Sequence, residues 1–178
     1  MKKVLILSDT HACKETIFGM EKKVLRINPD KLVHLGDHYK DINDWNINGI
    51  EKIRIPGTWT SEYQNIYVDN RLFITIENWK LFLSHTPTSH YNDLINDPDP
   101  EKVLEKKKCD IFLHGHTHIP NATKEHGIIT INPGHLQDTD KRGYPMTYSI
   151  ATFTDEKFFI TIYHYETDDI YMEKEYTK

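Results

Sequence analysis

The chain has 178 residues and a formal net charge of −5, with 38% hydrophobic and 28% charged residues. We expect one globular domain over residues 1–178, because this length and composition suit a single packed core rather than a disordered or membrane chain. The acidic balance argues against a broad nucleic-acid groove, which needs a basic surface. Two widely spaced cysteines predict neither a disulfide framework nor a thiolate metal site. The apolar start, Met1 to Leu7, is too short for a signal or membrane-spanning segment, so a cytoplasmic location without a membrane partner is expected.

The first third of the chain predicts βαβ units. Apolar residues at helical spacing indicate a helix over Lys14 to Ile27, which Asn28-Pro29 closes. Short aliphatic runs before and after it indicate buried strands. Strands that alternate with a helix in this way are typical of a parallel sheet. The predicted strands are Val4 to Leu7, Lys31 to Leu35 and Lys52 to Ile55.

The remainder of the chain predicts closely spaced strands joined by turns. A second helix is expected from Asp99 to Lys107, with Pro100 in its first turn and lysines at its end. The polar segment 171–178 is either an edge strand or a loose tail. The predicted strands are Tyr67 to Val68, Leu72 to Ile76, Leu81 to Leu83, Ile111 to Leu113, Ile128 to Ile131, Tyr148 to Phe153 and Phe158 to Tyr165.

Four predicted strand ends carry residue types that bind metal ions. Since the carboxyl ends of strands in an α/β sheet open onto one crevice, we expect these side chains to converge. Mixed carboxylate and imidazole donors suit Mn, Fe, Co, Ni or Zn, and the absence of cysteine among them argues against a closed structural zinc site. The eleven histidines of the chain are an unusual number that fits this interpretation. The candidate ligands are Asp9, His11, Asp37, His85, His116 and His118.

The order of these motifs resembles that of the calcineurin-like metallophosphoesterases, in particular their small single-domain bacterial and archaeal phosphodiesterases. The family order is Asp-x-His, Gly-Asp, Gly-Asn, a lone His and Gly-His-x-His. A later Asn132-Pro133-Gly134 resembles a turn of the small members, so the resemblance spans residues 4 to about 135. The corresponding segments here are Ser8-Asp9-Thr10-His11, Leu35-Gly36-Asp37, Pro56-Gly57-Thr58, Ser84-His85 and Gly115-His116-Thr117-His118.

The resemblance implies an α/β fold, namely a four-layer αββα sandwich of two mixed β-sheets flanked by helices. It also implies two divalent transition-metal ions, with manganese preferred and iron, cobalt, nickel or zinc as alternatives. The implied reaction is hydrolysis of a small phosphodiester or phosphomonoester by a metal-bound hydroxide, and a homodimer is a further expectation. In the family's roles Asp9, His11 and His118 hold the first ion, His85 and His116 hold the second, and Asp37 bridges both.

Three positions depart from the family pattern. Thr58 replaces the asparagine that binds the second ion, so it is either a weaker ligand, helped by Glu62 or a water, or a plain turn residue. Trp59 stands where larger relatives carry a histidine that protonates the leaving group. His135 replaces the serine that ends the Asn-Pro-Gly turn. The histidines beside the motifs can hydrogen-bond to the ligand residues or contact the substrate. They are His34, His38, His114 and His135.

Two other functions remain open from the sequence. The first is a non-catalytic protein-binding scaffold of the same fold with a weakened metal site, which Thr58 favours and the six retained ligand types oppose. The second is a nuclease of the same family. Such nucleases usually carry additional DNA-binding domains and basic surface, and this short acidic chain offers neither.

Overall fold

Eleven strands form two mixed sheets in the computed structural model, which describes residues 1–178. The first sheet has six strands in the order β11-β10-β9-β1-β2-β3. Strands β1, β2 and β3 are parallel, and β9, β10 and β11 add an antiparallel half. Their bounds are β1 Lys2–Leu7, β2 Lys31–His34, β3 Glu51–Arg54, β9 Thr147–Phe153, β10 Lys157–His164 and β11 Ile170–Thr177.

The second sheet has five strands in the order β4-β5-β6-β8-β7. Its three central strands, β5, β6 and β8, are parallel, and the edge strands β4 and β7 are antiparallel to their neighbours. The parallel centre places the carboxyl ends of β5 and β6 side by side. The bounds are β4 Arg71–Ile76, β5 Trp79–Ser84, β6 Ile111–His114, β7 Asn121–Glu125 and β8 Ile128–Asn132.

Two α-helices and one short 3-10 helix, Ser61–Gln64, complete the fold. Helix α1 spans Lys14–Ile27 and ends where Asn28 adopts a left-handed conformation. Helix α2 spans Pro100–Glu105, and the Asp99 side chain caps it by accepting a hydrogen bond from the Lys102 amide. Neither α-helix has the length and apolar character needed to cross a bilayer.

The layers are arranged as helix, sheet, sheet and helix. The two sheets bury their facing sides in the largest core cluster, which includes Val4 and Ile6 of β1 and Leu81 and Leu83 of β5. Helix α1 covers the other side of the first sheet, where Val24 belongs to a second cluster. Helix α2 covers the other side of the second sheet in a third, smaller cluster. The predicted αββα sandwich of two mixed sheets is therefore confirmed.

Two local predictions differ from the structure, and one strand was missed. Residues Tyr67 to Val68 form a turn rather than a strand, because the Asn65 side chain accepts a hydrogen bond from the Tyr67 amide and Tyr67 is 91% exposed. Strand β7 was not predicted, since Ala122 is its only buried side chain. Helix α2 ends at Glu105 and is shorter than expected. The C-terminal segment is the edge strand β11 and not a loose tail.

Candidate metal centre

The six predicted ligands follow the carboxyl ends of four strands that belong to both sheets. Asp9 and His11 follow β1, and Asp37 follows β2, in the parallel half of the first sheet. His85 follows β5, and His116 and His118 follow β6, in the parallel centre of the second sheet. The aliphatic strands thus deliver all of the polar side chains to one end of the sandwich, as expected for an α/β crevice.

A continuous series of short contacts links all six residues. The rings of His116 and His85 meet edge to face with centroids 5.1 Å apart. His85 Nε2 lies 4.0 Å from Asp9 Oδ1, and the same oxygen lies 3.4 Å from His118 Nε2. The series continues over 3.0 Å from His118 Nε2 to His11 Nε2 and over 3.2 Å from His11 Nδ1 to Asp37 Oδ2. The structure therefore brings together every residue of the predicted set.

The two carboxylate oxygens of Asp9 have different roles. Oδ2 accepts hydrogen bonds from the Ser8 hydroxyl at 2.6 Å and from the His116 amide at 2.8 Å. Oδ1 is left to face the imidazoles of His118 and His85. Burial alone would raise the pKa of Asp9, but the polar groups around it, among them the neighbouring His118 ring and the Ser8 hydroxyl, lower it well below its usual value. Asp9 is thus an ionised buried carboxylate with one oxygen directed into the cluster.

Two histidines of the cluster, His11 and His116, are held as neutral imidazoles. Burial lowers the pKa of His11, and the carboxylates of Asp37 and Asp9 offset this only in part. Burial, together with the neighbouring His85, lowers the pKa of His116 to about 4. A neutral imidazole keeps one ring nitrogen with a free lone pair, which is the form that binds a metal ion.

Hydrogen bonds fix which ring nitrogen is free in two of the histidines. His85 donates from Nδ1 to the Leu35 carbonyl at 2.9 Å, and His118 donates from Nδ1 to a carboxylate oxygen of Asp140, also at 2.9 Å. In the neutral form of each ring the lone pair of Nε2 therefore faces the cluster. Because the Nε2 atoms of His118 and His11 are only 3.0 Å apart, a proton or a cation has to lie between them.

Two buried oxygens in this region have no hydrogen-bond partner: Asp37 Oδ2 and Thr58 Oγ1. An uncompensated buried carboxylate oxygen is costly, and a cation offsets that cost. Ligand atoms of Asp9, His11 and His118 all lie within 4.8 Å of one another, which is close enough to share one ion. The donor set and its orphan oxygens therefore fit a divalent transition-metal ion.

Backbone strain is concentrated at the same residues. Five of the six predicted ligands have a positive φ, a region that residues with a Cβ rarely adopt and that costs on the order of 1–3 kcal/mol each. Such strain persists only where the surrounding structure imposes it, and it clusters at functional sites. The φ values are 51° for Asp9, 47° for His11, 75° for Asp37, 65° for His116 and 63° for His118.

The histidines beside the first motifs have separate roles. The Thr10 hydroxyl donates to Asp41 at 2.6 Å, so His34 Nε2 must donate to Thr10 Oγ1 at 3.1 Å, and His34 Nδ1 accepts from the Gly36 amide. Burial lowers the pKa of His34 to about 3, so this ring is a neutral structural group. His38 is half exposed, and its Nε2 lies 3.7 Å from Asp37 Oδ2, at the edge of the cluster.

His114 and His135 lie beside the cluster, but hydrogen bonds engage one ring nitrogen of His114 and both of His135. His114 donates from Nδ1 to the Gly115 carbonyl at 3.0 Å. His135 stacks on the His118 ring at a centroid distance of 4.8 Å, while the Tyr144 carbonyl and the Gln137 amide engage its two ring nitrogens. His135 thus lies beside His118, one of the proposed ligands, and a contact with substrate stays a prediction.

The carboxylate of Glu62, considered above as a helper for Thr58, forms an ion pair with Lys40 at 2.8 Å. That pair and the Ser61 hydroxyl lower the pKa of Glu62, so its carboxylate has partners of its own. Thr58 is 2% exposed, and its hydroxyl has no hydrogen-bond partner. Glu62 therefore does not pair with it.

Sequence reasoning missed Asp140, whose carboxylate holds the His118 ring. It lies in the polar loop between β8 and β9, 22 residues after His118. Burial opposes its ionisation, but hydrogen bonds from the Arg142 amide and the His118 ring lower the pKa of Asp140 below its usual value. An aspartate in a polar loop has no periodicity or motif spacing that distinguishes it from a solvated turn residue.

The protein is an α/β sandwich that carries a cluster of histidines and aspartates, a candidate metal centre, at the ends of its strands. Residues 1–156 match the family model of the calcineurin-like phosphoesterase superfamily domain. The chain therefore belongs to the calcineurin-like phosphoesterase superfamily, and the resemblance found in its motifs is confirmed.

Relatives and solved structures agree with this assignment. The chain is 28% identical over 142 residues to a probable metallophosphoesterase of Mycoplasma pneumoniae, covering 77% of this chain and 80% of that protein. It is 28% identical over 181 residues to a probable metallophosphoesterase of Mycoplasma genitalium, covering 96% and 99%. The fold is similar to that of a predicted phosphoesterase from Streptococcus pneumoniae, with a TM-score of 0.72, 19% identity and coverage of 99% and 98%. It is also similar to vacuolar protein sorting 29 from Cryptosporidium parvum, with a TM-score of 0.75, 16% identity and coverage of 99% and 98%.

Proposed function

We propose that this protein is a metal-dependent phosphoesterase that hydrolyses a small phosphodiester or phosphomonoester at a two-metal site. The single observation that carries the proposal is the unbroken series of contacts that joins six potential ligands from both sheets. A purely structural cluster of this kind would leave the buried Oδ2 of Asp37 without a hydrogen-bond partner. A bound cation satisfies this oxygen.

In this proposal Asp9, His11 and His118 hold the first ion, and His85 and His116 hold the second. Their contacts in the structure support this division, because the first three share one ligand-atom cluster and the rings of the other two are in contact. Asp37 is the proposed bridge, which would satisfy its orphan oxygen. The carboxylate and imidazole donors suit manganese and also iron, cobalt, nickel or zinc.

Residues of the chain orient the proposed ligands and supply negative charge to the site. Divalent ions, when bound, neutralise the phosphate oxygens and make a water molecule a better nucleophile. Ser8 and the His116 amide fix one oxygen of Asp9, and the Leu35 carbonyl fixes the His85 ring, so the donors are oriented before any ion binds. Half-exposed His38 lies at the edge of the site, with its Nε2 3.7 Å from Asp37 Oδ2.

The test is metal content combined with hydrolysis. Protein purified without chelator is analysed by plasma mass spectrometry and assayed with bis(p-nitrophenyl) phosphate and p-nitrophenyl phosphate, with and without Mn²⁺. We expect two ions per chain and hydrolysis that is lost in chelator. One ion per chain would overturn the two-metal proposal, and the absence of both metal and hydrolysis would favour the binding scaffold.

A matched pair of substitutions locates the activity. His116→Asn replaces a proposed imidazole ligand by a shorter carboxamide at a residue with a φ of 65°, and His126→Asn makes the same change at an exposed turn with a φ of 52°. Asparagine tolerates this conformation, so the backbone cost is similar in the two variants. We expect the first variant to lose one ion and most activity and the second to retain both. Equal activity in the two variants would contradict the assignment of His116.

A further inference from the structure

The Asp140 carboxylate is buried against the back of the candidate centre. Its side chain is only 6% exposed, and it comes from the loop between β8 and β9, outside the motifs named above. Oδ1 accepts a hydrogen bond from His118 Nδ1 at 2.9 Å, and Oδ2 accepts one from the Arg142 amide at 3.0 Å. The loop thus holds the carboxylate in place while the carboxylate holds the His118 ring.

This contact determines the tautomer of His118. A carboxylate accepts hydrogen bonds and has no proton to donate, so the proton of a neutral His118 lies on Nδ1. The lone pair of Nε2 then faces Asp9 Oδ1 at 3.4 Å and His11 Nε2 at 3.0 Å. A carboxylate in this position also makes the imidazole a stronger ligand than a neutral carbonyl partner does.

The orientation of the ring is restrained on a second side. His135 stacks on His118 with an interplanar angle of 21°, and backbone groups of Tyr144 and Gln137 engage its own nitrogens. His135 therefore restrains the His118 ring by packing against it, and neither of its own nitrogens is free to bind a metal ion. His118, His135 and Asp140 lie close enough to suggest a separate ion site, but the nitrogens of both rings on this side are already hydrogen-bonded.

We propose that Asp140 is a positioning residue that holds His118 as the Nδ1–H tautomer and presents its Nε2 to a divalent cation. The effect on metal binding rests on the proposed function of the metal centre. The tautomer of His118 does not. Carboxylate partners of this kind typically contribute 10–100-fold to metal affinity.

The first measurement is the tautomer of His118 in metal-free protein, read from long-range ¹H–¹⁵N NMR correlations. The parent protein should show the Nδ1–H form, and Asp140→Ala should show a mixture or the Nε2–H form. Asp140→Asn offers a neutral acceptor of the same shape, so it should retain the Nδ1–H form. A well-dispersed spectrum establishes that each variant is folded.

The second measurement is Mn²⁺ affinity by calorimetric titration. We expect about 10–100-fold weaker binding for Asp140→Ala and an intermediate loss for Asp140→Asn. Asp138→Asn, which changes an exposed aspartate of the same loop, is the matched control and should bind like the parent. An unchanged tautomer and unchanged affinity in Asp140→Ala would overturn the role of Asp140. Absence of Mn²⁺ binding by the parent would instead overturn the proposed function.

Discussion

Gly57 packs directly against the backbone of Asp37. A Cβ at residue 57 would lie 2.4 Å from the Asp37 Cα, a separation that real Cβ atoms essentially never show. The Gly57 amide also donates to the Asp37 carbonyl at 3.1 Å. The glycine of the Pro56-Gly57-Thr58 segment is therefore required by close approach to a proposed metal ligand, and not by its own φ.

Gly57→Ala should displace Asp37 and weaken the metal centre. Overpacking of this kind typically costs about 1–3 kcal/mol, which denaturant unfolding would measure. We expect Mn²⁺ affinity to fall together with the free energy of unfolding. Gly127→Ala is the control, since its Cβ would meet no atom within 4 Å and only its φ of +89° is unfavourable. Parent-like metal affinity in Gly57→Ala would contradict the argument.

Thr58→Asn should strengthen binding of the second ion. The Thr58 hydroxyl is buried and has no partner, and a carboxamide oxygen is a longer and better neutral ligand. Calorimetric titration with Mn²⁺ should show a tighter second binding step in this variant. Thr60→Asn makes the same change two residues later, where the hydroxyl is already bonded to the Gly57 carbonyl, and should leave that step unchanged. Equal affinities in the two variants would indicate that Thr58 is a plain turn residue.

Removal of metal should destabilise the protein. A ligand that binds only the folded state at 100 times its dissociation constant adds about 2.7 kcal/mol, so chelator should lower the midpoint of thermal unfolding. Asp37→Ala should abolish activity and should reduce this difference, because its metal is held more weakly from the start. An identical midpoint with Mn²⁺ and with chelator would be incompatible with a metal-stabilised centre.

The sequence predicted the elements whose residues are buried on both faces or on a regular stripe. The aliphatic runs of β1, β2 and β5 are unambiguous because parallel strands are covered on both sides. The exposed Tyr67 has a β-type side chain but lies in a turn, and edge strand β7 buries only Ala122, so its pattern is weak. The strand preference of individual residues was thus misleading where their side chains are not buried.

The candidate site was predictable to the extent that its residues lie in motifs at strand ends. The positions of Asp9 and His118 relative to β1 and β6 follow from the chain order, and the structure places their ligand atoms 3.4 Å apart. Asp140 could not be found in this way, because only the path of the β8–β9 loop brings it to His118. The division of the ligands between two ions remains a prediction.

Asp168 joins helix α1 to the first sheet. Its carboxylate accepts hydrogen bonds from Lys23 at 2.5 Å, Arg26 at 2.6 Å and Tyr148 at 2.8 Å. Burial opposes ionisation, but these three donors outweigh it and lower the pKa of Asp168 to about 2. Since the pKa of an unfolded aspartate is about 3.9, the folded protein favours the ionised form.

Asp168→Asn should therefore destabilise the protein in a way that depends on pH. Because the folded pKa is depressed, the stabilisation is complete above about pH 4 and is lost as the pH falls through about 2. We expect a loss of about 1–2 kcal/mol at neutral pH, the usual scale for hydrogen bonds to a charged group that is partly exposed. Asparagine suits the φ of 60° at this residue, so backbone strain does not contribute.

The measurement that checks this prediction is urea unfolding of the parent and of Asp168→Asn across the acid range. The difference between their free energies of unfolding should shrink between about pH 4 and about pH 2, because the parent then loses the charge that the variant lacks. Asp169→Asn, at the exposed neighbouring residue, should differ little from the parent at any pH. A difference for Asp168→Asn that stays constant through this range would mean that packing, and not the ionised carboxylate, stabilises the contact between α1 and the β10–β11 turn.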